Sequence, residues 1–313
     1  MNRREFMAVS AGVVAGGVAA SGAQESKPGQ QGPASGGRPA ARRTLRKAIG
    51  IGMVGEGATL LEKFQIIRDC GFEGVECDSP SGTPGDEVLA AMDKTGVKVH
   101  GLVDSVHWQH HLNDADESSR AKGIEALKTA LRAGKKFGSV SVLLVPAVVN
   151  AKLPYDKAWE LSIAAIKECL PLARETGVKI AVENVWNNFH TSPLEAKRYL
   201  EEIGSPMVGW HFDIGNVINF GWPEQWVRIL GASILKLHIK DFSRKKRDDQ
   251  GYWKGFEVEL GEGDAGWTAV MKALDEVGYS TAPDGNWATA EVGGGDRKRL
   301  KTVSEQMDRI FAM

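Results

Sequence analysis

Short apolar runs alternate with longer amphipathic stretches from Lys47 to the end of the chain. This alternation is typical of parallel strands joined by helices, because the strands are buried on both faces and the helices on one. Eight rounds can be counted, and they predict a single-domain α/β fold, a (β/α)8 TIM barrel. The predicted strands are residues 47–54, 74–79, 97–105, 139–147, 178–185, 207–214, 234–241 and 287–293.

A doubly wound open sheet is the competing fold for such a pattern. Its phosphate-binding fingerprint, GxGxxG after the first strand, is missing here. The first strand is followed only by a glycine-rich stretch, with glycines at 50, 52, 55 and 57. We therefore favour the closed barrel.

One long connection interrupts the regular spacing, from Ser243 to about Asp264. It contains the charged run SRKKRDDQ, followed by Tyr252, Trp253 and Phe256. Long loops in compact domains often cover a site, and this one is predicted to act as a lid.

The last four predicted strands carry polar residues on one face and apolar residues on the other. Side chains alternate between the two faces of a strand, so residues two apart share a face. The apolar face is expected to meet the helices and the polar face to point into the barrel. The residues predicted to point inward are Ala181, Glu183, Gly209, His211, Asp213, Lys236, His238, Lys240, Thr289 and Glu291.

Four of these residues, Glu183, Asp213, His238 and Glu291, fall near the carboxyl ends of their strands, where barrel enzymes place their active sites. Three carboxylates and one imidazole suit a single divalent ion, namely Mn²⁺, Mg²⁺, Co²⁺ or Zn²⁺. An ordinary ion pair at the barrel rim could explain any one of them. Four on successive strands favour a metal site, because isolated buried charges resist ionisation.

The segments VENVWNNF, HFDIGN, LHIKDF and AEVG resemble those of the xylose isomerase-like superfamily of sugar isomerases and epimerases. Within it, the segments resemble the L-xylulose-5-phosphate 3-epimerase-like and D-tagatose 3-epimerase-like members, and the resemblance runs from about Lys47 to the carboxyl terminus. It implies that Glu183, Asp213, His238 and Glu291 bind the metal. It also implies that the two glutamates exchange protons with a carbohydrate substrate.

The predicted function is a metal-dependent isomerase or epimerase. A carboxylate removes a proton beside a carbonyl only if the resulting enolate is stabilised, and a metal does this. A lyase or hydratase acting on a keto-sugar or keto-glycoside is the alternative, because it begins with the same step. An endonuclease acting at abasic DNA and a non-catalytic sugar-binding protein are further alternatives within this fold.

Five further residues are predicted to contact the substrate: His107, Trp108, His211, Lys240 and Glu76. His211 could instead orient Asp213 or hydrogen-bond inside the barrel, and Lys240 and Glu76 could pair with rim charges. The remaining polar candidates receive structural roles. Asn184 and Asn216 are expected to fix turns at strand ends, and His100, His110, His111 and His190 to be structural or exposed.

Residues 1–23 join Arg3-Arg4 to a short apolar run of small residues, which indicates a twin-arginine signal rather than a membrane span. Residues 24–44, rich in Gly, Pro, Ser, Gln and Arg, are predicted to be a disordered linker before a barrel domain at 45–313. An exported enzyme meets unphosphorylated sugars, and no stable membrane insertion is expected after signal removal. The pattern leaves open whether the chain forms a homo-oligomer.

The charge balance excludes a general attraction to polyanions, since 39 Lys and Arg face 40 Asp and Glu. We therefore expect a small neutral partner and no nucleic acid, and the family resemblance implies that this partner is a carbohydrate. The three cysteines, Cys70, Cys77 and Cys169, show no metal-site spacing and are predicted to be buried thiols.

Overall fold

The computed structural model describes residues 43–283 and 286–313. Eight parallel strands pair in chain order, and the first pairs with the last to close a barrel. They are β1 (Arg46–Gly50), β2 (Gly74–Ser79), β3 (Lys98–Asp104), β4 (Ser141–Leu144), β5 (Lys179–Glu183), β6 (Val208–Asp213), β7 (Ile234–Ile239) and β8 (Trp287–Ala290). The predicted (β/α)8 barrel is confirmed. Every strand except β2 is shorter than predicted, because apolar residues continue into the turns beyond the paired segment.

Helices follow the strands and cover the outside of the barrel. They are α1 (Leu60–Asp69), α2 (Gly85–Thr95), α3 (Glu117–Phe137), α4 (Tyr155–Thr176), α5 (Pro193–Ile203), α6 (Ile214–Val217), α7 (Pro223–Leu230), α8 (Arg244–Gln250), α9 (Trp267–Glu276) and α10 (Arg297–Phe311). Local sequence sets their ends. Thr59 and Glu62 form a capping box at the start of α1, and α4 ends at Gly177, whose φ of 72° favours glycine.

The main apolar core lies between the strands and the surrounding helices. Ile180 of β5, Phe212 of β6 and Leu237 of β7 are fully buried and belong to this core. Their neighbours along the strands, Glu183 and His238, lie on the opposite face and are buried inside the barrel. The alternation predicted for the late strands is therefore present, and it leaves a polar interior.

The long connection after β7 is more ordered than a plain loop. It contains α8 and a 3-10 turn, Tyr252–Phe256. Asp241 is buried two residues after the end of β7. It accepts hydrogen bonds from the segment in which the connection returns to the barrel, residues 261–267. Its donors are the backbone N–H groups of Gly261, Gly263 and Ala265, at 3.0, 3.2 and 3.2 Å, and the indole Nε1 of Trp267 at 2.9 Å. These bonds fasten the connection to the start of α9.

The predicted signal, residues 1–23, lies outside the described residues, as does nearly all of the predicted linker. Its last two residues contact the barrel: the guanidinium of Arg43 binds Asp275 at 2.8 Å, and the backbone N–H of Thr44 donates to the carbonyl of Ser280 at 2.7 Å. Among the described residues, no helix is long and apolar enough to cross a membrane.

The three cysteines are free and buried, as predicted. Burial raises the pKa of Cys77 and of Cys169 to about 12 in each case. A thiol with so high a pKa stays protonated at neutral pH and is a poor nucleophile or metal ligand. Their role is packing.

Asp104, the last residue of β3, offers a pH-dependent test of the fold. It is 1% exposed, and Val106 donates its backbone N–H to the carboxylate at 3.2 Å. Burial raises the pKa of Asp104 to about 7. Because this folded-state pKa exceeds the unfolded value of about 3.9, the charged carboxylate destabilises the fold, and the penalty grows as the pH rises from about 4 to about 7.

Asp104→Asn is therefore expected to stabilise the protein at pH 8 by up to about 4 kcal/mol, and to have little effect near pH 4. Urea unfolding of both proteins at several pH values measures the difference. Asp93→Asn, which changes an exposed carboxylate on α2, is the control and should show no such trend. A stabilisation by Asp104→Asn that is independent of pH would contradict this account.

Candidate active site

A cavity of about 610 Å³ opens at the carboxyl ends of the strands. Its wall combines polar groups from the strand ends with aromatic rings from the loops. The polar and charged residues of the wall are His107, Glu183, Asn216, His238, Lys240 and Glu291, and the aromatic rings are Trp108, Trp186, Trp253 and Phe256. A cavity of this size and composition suits a small polar molecule with an apolar face.

The four residues predicted as metal ligands lie close together, and three of them, Glu183, His238 and Glu291, line this cavity. One ligand atom from each of Glu183, Asp213, His238 and Glu291 lies within 4.8 Å of all the others. The Nδ1 atom of His238 is 2.8 Å from a carboxylate oxygen of Glu183 and 3.3 Å from one of Glu291. One ion could therefore contact all four side chains.

Barrel closure explains this convergence. Glu183 is the last residue of β5, and Asp213 is the last residue of β6. His238 of β7 pairs with Asp213 of the neighbouring strand. Glu291 follows β8 directly, where its backbone N–H still donates to the carbonyl of Ile239 at 3.1 Å. The ends of four neighbouring strands thus present four side chains to one point.

Burial and neighbouring charges shape the acidity of the three carboxyl groups. Burial raises the pKa of Glu183, and it raises that of Asp213 to about 8. Burial also acts on Glu291, but the positive charges of Lys240 and His238 outweigh it and hold the pKa of Glu291 well below its usual range. Further positive charge at the site would therefore favour the ionised forms of Glu183 and Asp213.

The donor set fits a divalent ion. Three carboxylates and one imidazole nitrogen are ligands that Mn²⁺, Mg²⁺, Co²⁺ and Zn²⁺ accept. The ammonium group of Lys240 already lies 3.0 Å from Asp213 and 2.6 Å from Glu291, so this cluster attracts cations. Burial of Asp213 outweighs the charge of Lys240 and keeps the pKa of Asp213 high, and a metal ion would add further positive charge beside it.

His238 is held in place from beneath by Glu76. The Nε2 atom of His238 lies 3.0 Å from a carboxylate oxygen of Glu76, while Nδ1 faces Glu183. Burial of Glu76 is outweighed by the charges of His211 and His238, which hold the pKa of Glu76 well below its usual range. A carboxylate behind a ligand histidine fixes which nitrogen carries the proton and raises the basicity of the other.

Glu76→Gln is expected to weaken divalent metal binding by about 10- to 100-fold. The amide keeps the volume of Glu76 but removes the charge that supports the His238 imidazole. Titration calorimetry with Mn²⁺ measures the affinity, and circular dichroism checks the fold. Glu73→Gln, at the exposed neighbour that pairs with Arg46, should bind Mn²⁺ like the unaltered protein. Equal Mn²⁺ affinities of the two variants would contradict this role for Glu76.

The predicted substrate residues divide into two groups. His107, Trp108 and Lys240 line the cavity. Glu76 and His211 do not line it: they are buried deeper in the barrel, next to His238, and their contact with the substrate stays a prediction. The reason is position along the strand, since Glu76 lies in the middle of β2 and His211 two residues before the end of β6.

His107 is suited to bind a hydroxyl group. It is 5% exposed, its Nδ1 accepts the backbone N–H of Val145 at 3.3 Å, and burial lowers its pKa to about 4. The neutral ring therefore carries its proton on Nε2, which is free to donate. Trp108 packs edge-on against this ring at 5.5 Å and is half exposed.

The polar interior below the site contains a buried lysine. The ammonium group of Lys236 crosses the barrel and donates to the backbone carbonyl of His100 at 2.6 Å. A Cβ atom at Gly101 would collide with this ammonium group, so glycine leaves room for it where it lies. Thr289 donates to Glu76 at 3.1 Å, and His100 stacks on Trp287, which agrees with its predicted structural role.

Asn184 and Asn216 join the ends of β5 and β6, as predicted. The side-chain amide of Asn184 donates to the backbone carbonyl of Asp213 at 2.7 Å and accepts its N–H at 3.1 Å. Asn216 donates from its side chain to the carbonyl of Asn184 at 3.0 Å. These bonds set the height of Asp213 relative to Glu183.

Trp186 is the main site residue that the sequence reasoning missed. Its ring lies 4.4 Å from that of Tyr252, 4.9 Å from that of Trp253 and 4.8 Å from that of Phe256. Its Nε1 donates to the carbonyl of Asn216 at 2.8 Å. The available signal was an aromatic residue three positions after Glu183, in a loop at the active end of the barrel.

Comparisons with known proteins agree with this architecture. Residues 64–310 match the family model described as the xylose isomerase-like TIM barrel. The L-ribulose-5-phosphate 3-epimerase UlaE of Escherichia coli O157:H7 (strain EC4115 / EHEC) is 25% identical over 256 residues, which cover 75% of this chain and 86% of that protein.

Two solved structures show the same fold. The D-allulose 3-epimerase from Methylomonas sp., in complex with D-allulose, superposes with a TM-score of 0.69 at 16% identity, covering 86% of this chain and 98% of that one. The IOLI protein with a bound zinc atom gives 0.70 at 18% identity, with coverage of 86% and 98%. The family match across residues 64–310 shows that the chain belongs to the xylose isomerase-like TIM barrel family.

Proposed function

We propose that this chain is a divalent-metal-dependent isomerase or epimerase of an unphosphorylated carbohydrate, with Glu183 and Glu291 as its proton-transfer residues. The observation that carries the proposal is the meeting of Glu183, Asp213, His238 and Glu291 within 4.8 Å, where all but the fully buried Asp213 line the large cavity. The sugar epimerases among its relatives support an enzyme rather than a binding protein. D-allulose and zinc, bound in two structures of the same fold, support the choice of ligands.

The chain's own residues provide the proton transfers. When bound, the divalent ion would polarise a substrate carbonyl and make the neighbouring carbon-bound proton more acidic. Glu183 and Glu291 both line the cavity, so each can reach a substrate carbon, one to remove a proton and the other to return it. Return to the opposite face of the same carbon gives an epimer, and return to the adjacent carbon interconverts aldose and ketose.

Lys240 and His107 would position the substrate. The ammonium group of Lys240 lines the cavity beside Glu291, where it can hold a negatively polarised oxygen. His107 lies on the same wall and can donate to a hydroxyl group. Trp108 offers its exposed ring to the apolar face of a sugar.

The charges of the wall favour a substrate without phosphate. Among the described residues that line the large cavity, Lys240 is the only lysine or arginine, and it already pairs with Asp213 and Glu291. A sugar phosphate or a DNA backbone normally meets unengaged cations or a helix amino terminus. Export by the twin-arginine signal, which we also propose, would likewise bring the enzyme to free sugars.

A lyase or hydratase acting on a keto-glycoside is the second candidate. It is favoured by a further cavity, described below, that adjoins the first and leaves room for a second ring. Elimination would begin with the same proton removal. The mass of the product separates the two reactions, since an isomer keeps the mass of its substrate and elimination releases an aglycone or water.

The test is to load the protein with Mn²⁺ and incubate it with free ketoses, aldoses and keto-glycosides in D₂O. We expect deuterium at a carbon next to the carbonyl and an isomeric product. Nuclear magnetic resonance detects the exchange, and mass spectrometry the product. If no sugar of the panel exchanges a carbon-bound proton, the proposed mechanism is ruled out.

A further inference from the structure

A second cavity of about 290 Å³ adjoins the active-site cavity. Val185, Trp186, Asn216 and Trp253 line both cavities, so the two spaces share a wall. We call the second one the aromatic pocket. The residues that line only the aromatic pocket are Asn184, Asn188, His190, Thr191, Val217, Phe220, Trp226 and Tyr252.

Aromatic rings supply much of the wall of this pocket, and several of them are exposed. Phe220 is 52% exposed, Tyr252 48% and Trp253 66%. Trp186 contacts all three, with ring centroids 5.9, 4.4 and 4.9 Å away. An exposed aromatic cluster beside a polar site suits a molecule that offers both an apolar face and hydroxyl groups, as a sugar ring does.

His190 adds an unsatisfied polar group to the wall. It is 3% exposed, and neither ring nitrogen has a hydrogen-bond partner among the described residues. Burial lowers the pKa of His190 to about 3, so the ring is neutral and offers one donor and one acceptor. Its φ of 54° shows that the backbone holds the residue in an unfavourable conformation. The ring packs against those of Phe189, Tyr199 and Trp210, with centroids 3.9, 4.4 and 5.2 Å away, so it forms part of the buried aromatic wall.

The described wall of the aromatic pocket has no charged side chain. No lysine, arginine, aspartate or glutamate occurs among its lining residues. The cations of the adjacent helix α8 are engaged elsewhere: Arg244 donates to the carbonyls of Ile218 and Gly221, and Arg247 binds Asn219. The occupant should therefore be a neutral ring rather than a phosphate or a carboxylate.

We propose that the aromatic pocket binds a second, neutral sugar ring of the substrate. The substrate of this active site would then be a glycoside whose reacting sugar lies beside the four predicted metal ligands. The inference rests on the proposed function and narrows its substrate class. The shared wall at Trp186 and Trp253 places the second ring directly beside the first. Trp253 and Tyr252 provide exposed stacking faces for it.

The experiment compares a monosaccharide with disaccharides built on it. D-fructose, isomaltulose, turanose and lactulose are titrated into the full chain saturated with Mn²⁺, with calorimetry and tryptophan fluorescence as binding measurements. At least one disaccharide should bind about tenfold more tightly than D-fructose, because stacking on an aromatic face adds affinity of this order. Deuterium uptake in D₂O is followed in parallel.

Phe220→Ala and Tyr252→Ala remove aromatic faces that line only the aromatic pocket. Each should reduce the advantage of the disaccharide about threefold or more and leave the affinity for D-fructose unchanged. Trp222→Ala is the matched control, since Trp222 is 58% exposed and lines neither cavity. It should change neither affinity.

The possible outcomes separate the two proposals. Equal affinity for D-fructose and for all three disaccharides overturns the aromatic pocket as a sugar site, and so does an advantage that survives both substitutions. Disaccharide binding that depends on Phe220 and Tyr252, with no deuterium uptake in any sugar, supports the pocket and overturns the proposed proton transfer.

Discussion

Glu183→Gln and Glu291→Gln are each expected to lower the turnover of the sugar about 10²- to 10⁴-fold, the range typical of a lost general acid or base. Glutamine keeps the size of the side chain and an oxygen that can accept a hydrogen bond from His238, now 2.8 Å from Glu183. It cannot accept or return a proton. The loss should therefore appear in kcat, while sugar binding is largely retained.

Deuterium exchange into the substrate measures this loss directly, and calorimetry measures the retained sugar binding. Because both glutamates are also predicted ligands, the Mn²⁺ affinity of each variant is determined first and the ion is then held at saturation. Glu201→Gln, on the exposed face of α5, is the control and should leave exchange unchanged. Normal exchange in either active-site variant at saturating Mn²⁺ would remove that glutamate from the mechanism.

Removal of divalent ions by a chelator is expected to abolish activity and to lower Tm by roughly 5–10 °C relative to the Mn²⁺-saturated protein. A ligand present at 100 times its Kd stabilises the folded state by about 2.7 kcal/mol, and domains of this size lose about 2–4 °C per kcal/mol. The physical reason is the buried Asp213, whose pKa burial raises to about 8. Without added positive charge, its ionised form is costly.

Thermal unfolding with and without the chelator checks this result, and readdition of Mn²⁺, Mg²⁺, Co²⁺ or Zn²⁺ shows which ions restore Tm and activity. Asp213→Asn should show a much smaller shift, because one carboxylate ligand is lost. Asp93→Asn should behave like the unaltered protein. Equal Tm values for chelated and metal-saturated protein would argue against a resident ion.

Alternation of polar and apolar residues predicted the late strands and their inward side chains well. The period of two along a strand depends only on local backbone geometry, so Glu183, Asp213 and His238 could be assigned to one face from the sequence. Glu291 was assigned in the same way, although β8 ends one residue before it. Its place therefore depends on barrel closure, which the count of eight units predicted.

Depth inside the barrel could not be predicted in the same way. Pairing between β2 and β3 shifts by one residue between Val75 and Glu76, and pairing between β6 and β7 shifts between Trp210 and His211. Strand tilt and such shifts decide how high a side chain lies, and both depend on neighbouring strands. This is why Glu76 was predicted at the rim and lies instead beneath His238.

The aromatic pocket was also beyond sequence reasoning. Its rings come from the loop after β5, the loop after α6, helix α7 and the 3-10 turn after α8, which are brought together from separate parts of the chain. Each ring alone resembles an ordinary exposed aromatic residue. Their proximity arises only when the barrel brings these loops to one end.

Because Asp241 anchors the connection after β7, the residues that cover the mouth of the barrel could evolve independently of the residues proposed to bind the metal. Asp241 fastens the segment where it returns to the barrel, while Tyr252 and Trp253 lie between the anchored ends. Insertions, deletions or exchanges between those ends would reshape what the mouth of the barrel admits and leave His238, three residues before Asp241, in its position. Grafting this segment between relatives is thus a direct way to change which molecules enter the cavity without moving the proposed metal ligands.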